Sequence, residues 1–393
     1  MNRPEKIAVY CGELPPPTFI DRLIIGLAND GFKLVLFGTL KRKFNYANPF
    51  IKVIGTAGKL SQIRQLILYT LLLQLKKPKQ KRKLDDWIKQ RKMAKYRARL
   101  KFYPVLYQQP DILHLQWVKS IGEWVWVKKF GIKLVVSLRG AHLNYTPICN
   151  PEFAEIYKQY FPLVSRFHAV SNAIKEEAIQ YNLNPNRTNV IYSGLDLFKF
   201  EFQAKTLSTD CLQIISIGRS HWKKGYNYAL DTMRILKEAN IRFQYTIVGL
   251  NEEEELLFQR NELNLEQEVV FLNKLPFDTI KEMIRKADLF LLPSVEEGIA
   301  NVVLEAMALG TLVVSTDCGG MKEVINDGLN GFIVPVRSPQ KMADAIQSVQ
   351  KLDKKKYFDM IDKARLQVEE HHTEERMIKG FRELYRSIYH ERK

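Results

Sequence analysis

Two glutamates carry the densest chemical signal in the chain. Glu297 and Glu305 stand eight residues apart in Pro293-Ser-Val-Glu-Glu-Gly-Ile-Ala-Asn-Val-Val-Leu-Glu-Ala-Met-Ala-Leu-Gly310. An apolar strand ends at Leu292, a loop holds Glu297-Gly298, and a helix is expected from near Ala300 to Gly310. On a helix that spacing spans ~12 Å, so the two carboxylates would grip hydroxyls at both ends of a ligand of that length. The competing reading is a pair of solvated surface glutamates. The backbone of Gly298, Ile299, Ala300 and Asn301 adds amides at a helix start, where an anion is favoured, and glycine lets a ligand approach closely. Upstream, Gly218 closes another strand, and Arg219 and Lys224 follow it. Two fixed cations there would stabilise charge on a phosphate group. Either one alone reads as an ordinary surface charge.

The first half offers fewer such groups. Gly12 ends the first strand, where backbone can approach a ligand. Arg139 and His142 follow a strand in Ser137-Leu-Arg-Gly-Ala-His142. A guanidinium cannot serve as a base but can hold a hydroxyl or a phosphate. His142 either orients a ligand or has a structural role on its loop. His114, inside an apolar strand, reads as a core histidine. Trp117, Trp124 and Trp126 read as packing, with an acceptor groove as the alternative.

These residues need strand ends and helix starts to hold them. The chain alternates β-rich runs with helical patterns, as doubly wound α/β folds do. The first series of strands is Ile7–Tyr10, Lys33–Phe37, Ile112–Leu115, Leu134–Ser137, Arg166–Val170 and Asn189–Tyr192. Thr18 is expected to cap the first helix and Gly31 to stop it. Phe200 to Asp210 reads as a linker. A second series follows at Leu212–Ile217, Phe243–Val248, Val269–Leu272, Leu289–Leu292, Thr311–Ser315 and Gly331–Val334. Thr373–Arg392 reads as a last amphipathic helix carrying Met377, Phe381, Leu384 and Ile388. Two open parallel sheets whose carboxyl ends face one cleft would place a ligand there.

Composition bounds the rest. With 393 residues and 46% apolar content the chain has material for two or three ordinary cores, which excludes a disordered or collagen-like protein. Four scattered cysteines suggest neither a disulfide framework nor a zinc knuckle. The N-terminal residues run straight into a strand, so no signal peptide is expected. No apolar run approaches the roughly 20 residues of a membrane span. A soluble, cytoplasmic protein is therefore expected. The net charge of +17 is concentrated. Lys76 to Lys101 holds thirteen Lys/Arg against Asp85 and Asp86, opening with Lys76, Lys77, Lys79, Lys81, Arg82 and Lys83. Before it lies the apolar segment Ile63–Leu75. An apolar helix followed by cations with Trp87, Tyr96 and Phe102 suits an anionic membrane surface. A solvated charged face, or a nucleic-acid backbone, are the other readings.

Taken together, the second-half blocks resemble the family 4 retaining glycosyltransferases, two-domain GT-B enzymes that use sugar nucleotides. The Glu-x7-Glu segment, Thr311-Leu-Val-Val-Ser-Thr-Asp-Cys-Gly-Gly-Met-Lys-Glu323, Asp327-Gly-Leu-Asn-Gly-Phe-Ile-Val-Pro335 and Ser216-Ile-Gly-Arg-Ser-His-Trp-Lys-Lys-Gly225 come in the family's order, preceded by Ala169-Val-Ser-Asn and Gly194-Leu-Asp196 with Phe200. The likeness covers most of residues 160–340. It implies that Glu305 holds ribose hydroxyls and Glu297 the donor sugar, the ends of a nucleotide sugar. It also implies that Arg219 and Lys224 meet the diphosphate, and that amides near Gly298, Gly319 and Gly320 meet phosphate or sugar oxygens. Gly12 fits a glycine near the donor phosphate. Arg139 stands at the family's usual histidine and His142 at its usual aspartate, a departure that leaves their roles open. Leu14-Pro-Pro-Pro-Thr-Phe-Ile20 resembles members acting in exopolysaccharide or lipopolysaccharide assembly. No Asp-x-Asp occurs, so no metal ion and no cofactor beyond the nucleotide-sugar co-substrate is expected.

The expected architecture is α/β, GT-B: two Rossmann-like domains, 1–204 for the acceptor and 205–372 for the donor, facing a cleft, with 373–393 crossing back to the first. The expected activity is retaining hexosyl transfer to a glycan or lipid-linked hydroxyl, peripheral on the inner face of the membrane and without nucleic acid. The rivals are a sugar-nucleotide epimerase or hydrolase on the same fold, and a basic nucleic-acid-binding protein.

Overall fold

Leucine-, isoleucine- and valine-rich runs too short to stand alone pair here into two all-parallel sheets, each covered on both faces. The computed structural model describes residues 6–208, 210–250 and 253–390. The expected start Met1–Glu5, Thr209 of the expected linker and Arg392 of the expected last helix lie outside them.

The first sheet holds β1 (Lys6–Leu14), β2 (Lys33–Leu40), β3 (Ile51–Thr56), β4 (Ile112–Leu115), β5 (Lys133–Leu138), β6 (Arg166–Ala169) and β7 (Thr188–Val190) in the order β3-β2-β1-β4-β5-β6-β7. The second holds β8 (Leu212–Ile217), β9 (Phe243–Val248), β10 (Val269–Leu272), β11 (Leu289–Leu292), β12 (Leu312–Thr316) and β13 (Phe332–Val334) in the order β10-β9-β8-β11-β12-β13. Strand order reverses beside β1 and again beside β8. Those are the points where a doubly wound sheet opens a crevice for a ligand. The sequence reading overlooked β3: Ile-Lys-Val-Ile-Gly-Thr alternates weakly and borders a glycine-rich turn, and only pairing with β2 makes it a strand. The first helix, Thr18–Asn29, starts from Pro17 with no side-chain cap, so Thr18 is its first residue and not its cap. Gly31 follows its end at φ +87°.

The chain divides into two compact units. One comprises residues up to Val170, Ile174–Ile191 and the chain from Met377. The other comprises Ser171–Ala173 and Tyr192–Arg376. The break falls at Ile191/Tyr192 and not near residue 204. Phe200 is fully buried, and Gln203 N donates to Leu309 O at 3.2 Å, so the expected linker packs into the second unit. The last helix, Glu374–His390, returns to the first. Met377, Phe381, Leu384, Tyr385 and Ile388 pack with Ile7, Val9, Ile24 and Leu27 on one face of the sheet.

Three helices, Lys59–Lys76, Pro78–Gln90 and Lys95–Gln108, cover the other face around β2 and β3. Trp87 and Phe102 are buried in that core rather than offered to a surface; only Tyr96 of the three expected aromatics is exposed. The basic run is likewise partly absorbed. Lys77 Nζ donates to the carbonyls of Leu106 and Tyr107 and to Gln109, Lys83 to the Lys129 carbonyl, and Lys81 and Arg99 pair with Asp85. Among the described residues no helix is long and apolar enough to cross a membrane.

Candidate active site

The second unit gathers its chemistry where strand order reverses, between β8 and β11. Past Gly218, His221 starts a tight turn by accepting from Lys223 N on Nδ1 at 3.3 Å, and Gly225 ends it at φ +65°. That turn aims two lysines at the loop after β11. Lys224 Nζ donates to Glu297 Oε1 at 2.6 Å, Ser294 Oγ to the same oxygen at 3.2 Å, and Lys223 Nζ lies 3.8 Å from Oε2. The turn and the loop are joined by Val295 N to Lys223 O at 2.7 Å. Burial alone would raise the Glu297 carboxyl pKa, but the two lysine charges and the hydrogen bonds outweigh it and hold it below the ordinary carboxylate value. Burial, aided by Lys224 and Arg219, lowers the Lys223 ammonium despite Glu297. Arg219 is exposed on the same stretch. One buried carboxylate thus stands among three cations, an arrangement that attracts a further anion.

The structure therefore brings Arg219, Lys224 and Glu297 together as the sequence suggested, and adds Lys223 and Ser294. Lys223 was legible as a neighbouring charge; Ser294 carried no signal. Glu297 sits in a loop before the helix Asn301–Leu309, so the helical spacing to Glu305 does not apply. Glu305 is half-buried on that helix. Two of the expected anion-binding amides are already engaged. Gly320 N donates to Gly298 O at 2.7 Å, and Ala300 N points to Met321 Sδ at 3.5 Å. The Gly319-Gly320 pair serves close packing. A Cβ on Gly319, at φ +57°, would lie 1.9 Å from the Glu297 carbonyl oxygen. Gly218 N is likewise engaged, by Val248 O. Ile299 is half-buried beside Gly298. Asn301, the first helical residue, keeps a buried Oδ1 without a hydrogen-bond partner.

In the first unit Gly12 sits at the carboxyl end of β1 with φ +80°, at a register shift against β2. Arg139, just past β5, lies over the Phe19 ring at 4.6 Å and donates from Nη2 to Gln116 Oε1 at 3.0 Å, while its Nε is buried without a partner. Burial lowers its guanidinium pKa to about 10, so it stays charged at neutral pH. The His142 ring meets Trp117 edge-on at 5.5 Å. Trp124 and Trp126 are fully buried, and Trp117 Nε1 donates to Cys11 O.

His114 is a core residue in a directed chain. His168 Nε2 faces the Ile191 carbonyl at 2.9 Å and must donate, so Ser137 Oγ donates to His168 Nδ1, His114 Nε2 to Ser137 Oγ, and Tyr385 O–H to His114 Nδ1. Burial, then the Arg139 charge, pushes the His114 pKa down to about 3 and that of His168 well below its usual value. Both rings are neutral at working pH.

Comparison with known proteins matches these parts. The family described as Glycosyltransferase Family 4 matches residues 17–198, and the one described as Glycosyl transferases group 1 matches residues 198–367. A putative colanic acid biosynthesis glycosyltransferase, WcaL, of Escherichia coli is 33% identical over 183 residues, 45% of each chain. The amylovoran biosynthesis glycosyltransferase AmsK of Erwinia amylovora is 30% identical over 218 residues, 54% of this chain and 53% of its own. The chain spans about half the length of these curated relatives. Among solved structures, Anabaena HepE in complex with UDP-glucose aligns with TM-score 0.71 at 18% identity, covering 97% of this chain and 99% of its own. A sucrose-phosphate synthase from Thermosynechococcus elongatus gives 0.76 at 17%, covering 98% and 99%. At such identities these two likenesses speak for the fold, which is GT-B. With one family matching each half and no gap between them, most of the chain is similar to the group 1 and family 4 glycosyltransferases.

Proposed function

We propose that the protein transfers a hexosyl group from a nucleotide sugar to a hydroxyl of a glycan or lipid-linked acceptor in cell-surface polysaccharide synthesis. The observation that carries this reading is the Lys224–Glu297–Lys223 cluster with Arg219 at the strand-order reversal of the second sheet. The polysaccharide-assembly names of WcaL and AmsK, and the UDP-glucose bound by HepE, support it. The bond from the anomeric carbon to the diphosphate breaks and one to the acceptor oxygen forms on the same face. The acceptor proton passes to the leaving phosphate oxygen, so configuration is retained and no protein nucleophile is required. Lys224 and Arg219 hold the charge growing on the diphosphate. Glu297, fixed by Lys224, orients the donor sugar, and Glu305 meets the ribose. Arg139, with its unpartnered Nε, and His142 position a sugar hydroxyl or phosphate in the first unit, near Gly12. The two cations do the work a metal ion would otherwise do, so the reaction runs without one.

The same reading places the enzyme peripherally on the cytoplasmic membrane face. The helix Lys59–Lys76 buries only Tyr69 and Leu73, and leaves Leu60, Ile63, Ile67, Leu71 and Leu75 exposed at helical spacing. Such a stripe beside a basic run suits an anionic bilayer.

The test is a thermal-shift screen against UDP-, GDP-, ADP- and CDP-sugars, followed by turnover of the Lys224→Ala enzyme. Removing one preorganised charge from a transition state costs on the order of 100-fold in kcat. Full activity of Lys224→Ala, or complete loss with EDTA, overturns this mechanism.

A further inference from the structure

Arg139 carries a positive charge that nothing in the first unit balances. It is half-buried just past β5, and no carboxylate and no second cation is among the groups that act on it. Its Nη2 donates to Gln116 Oε1 at 3.0 Å, and its Nε is buried without a partner. The other groups around it are neutral or engaged. The Phe19 ring lies against it at 4.6 Å. Burial, then the Arg139 charge, keeps His114 and His168 uncharged. Burial also pushes the Cys11 thiol up to about 12 and the Tyr385 phenol above its usual value, so neither offers a negative charge near neutral pH. Asp21, the acid that the Cys11 thiol senses, accepts from Tyr46 O–H. Gln116 is itself fully buried, with Nε2 3.2 Å from His114 Nδ1, so the core holds the guanidinium in one place.

A charge drawn out of water without a counter-ion is costly, and a fold that fixes one there prepares a place for an anion. Sugar transfer offers three groups to such a cation. A hydroxyl leaves the charge unbalanced. A diphosphate brings more than one charge, and in the transfer reading it already has Lys224 and Arg219 of the second unit. A carboxylate brings a single charge, in a plane that matches the guanidinium fork and accepts two parallel N–H bonds. We propose that the sugar positioned by Arg139 is a hexuronate, its carboxylate paired with this guanidinium. The proposal rests on the transfer reading above and names the sugar class for it. The acid belongs either to the donor sugar or to the acceptor glycan, and the experiment has an arm for each.

In the donor arm the intact protein is titrated calorimetrically with UDP-glucuronic acid against UDP-glucose, UDP-galacturonic acid against UDP-galactose, and GDP-mannuronic acid against GDP-mannose. In the acceptor arm the methyl glycosides of the same acids and neutral sugars are titrated by NMR. In one arm an acid is expected to bind at least about tenfold more tightly than its neutral counterpart, the worth of a charge-assisted hydrogen bond. Arg139→Met should erase that preference. Arg139→Lys, which keeps the charge but not the fork, should lose most of it, and it carries the test if Arg139→Met shows no cooperative melt. No preference for the acid in either arm, or a preference that survives substitution of Arg139, overturns the proposal. Nucleotide-sugar binding separates the two readings. If a donor binds in a Lys224-dependent way and neither arm favours the acid, the hexuronate assignment alone fails. If no nucleotide sugar binds the wild-type protein, the transfer reading fails.

Discussion

Glu297 shows how much a single side chain depends on its neighbours. Buried, it would take up a proton; Lys224 and Lys223 keep it ionised. A carboxyl whose folded pKa lies below its ordinary value of 4.5 contributes stability that is complete above that value and lost as pH falls through the lower, folded one. Lys224→Met leaves burial opposed only by the more distant Lys223 and Ser294, so the loss should begin at higher pH. Thermal melts from pH 3 to 7 check this. Superimposable pH profiles for the two proteins would remove the charge argument for Lys224. The histidines act in the opposite sense. The unfolded chain takes up protons near pH 6.5 that His114, held at about 3, and His168 refuse in the folded state. Stability should therefore decline as pH falls below about 6.5 and be untouched by these groups above it. An acid decline of equal size in His168→Gln would contradict this.

At the scale of elements, two helices do unlike work. Lys59–Lys76 is anchored by Tyr69 and Leu73 and leaves its stripe uncovered, with Leu75 80% exposed. Replacing Leu60, Ile67, Leu71 and Leu75 by Gln should leave folding intact and abolish co-sedimentation with phosphatidylglycerol vesicles. Salt should weaken wild-type binding, since each surface cation contributes only about 1 kcal/mol and is screened. Undiminished binding of the fourfold variant would reject docking through this helix. The last helix is anchored throughout. Tyr385 O–H begins the hydrogen-bond chain through His114, Ser137 and His168, and Gly26 leaves room for Ile378, whose Cδ1 would lie 2.0 Å from a Cβ there. Tyr385→Phe should cost about 1 kcal/mol in denaturant unfolding, the net worth of one buried hydrogen bond.

For the whole molecule, the consequence is a chain that cannot be cut once into two folding pieces. The first unit takes its last helix from the far end of the sequence. Residues 1–191 alone would expose the apolar face that Met377, Phe381, Leu384 and Ile388 cover. That fragment should be insoluble or molten by near-UV circular dichroism, and regain a cooperative melt when residues 374–393 are supplied in trans or fused to it. A cooperative melt of 1–191 by itself would show that the helix is dispensable.

What the sequence determined by itself was local or repeated. Strand cores such as Leu289–Leu292 were legible to the residue, because a strand buried on both faces must be continuously apolar. The Glu297 block, Arg219 and Lys224 stood out because charged residues follow glycine-bearing strand ends there, in an order that resembles the family's. Tertiary structure decided the rest. β3 exists because β2 offers it a ladder, and Gly320 packs against Gly298 because two loops meet. Lys223 joins Lys224 on Glu297 because one turn aims both. Lys77, Lys81 and Lys83 looked like surface charge along the chain, yet helix ends, Asp85 and the Lys129 carbonyl claim them. Composition counts charges, but only packing decides which charges find partners inside the protein and which, like Lys59 and Arg97, stay exposed to solvent.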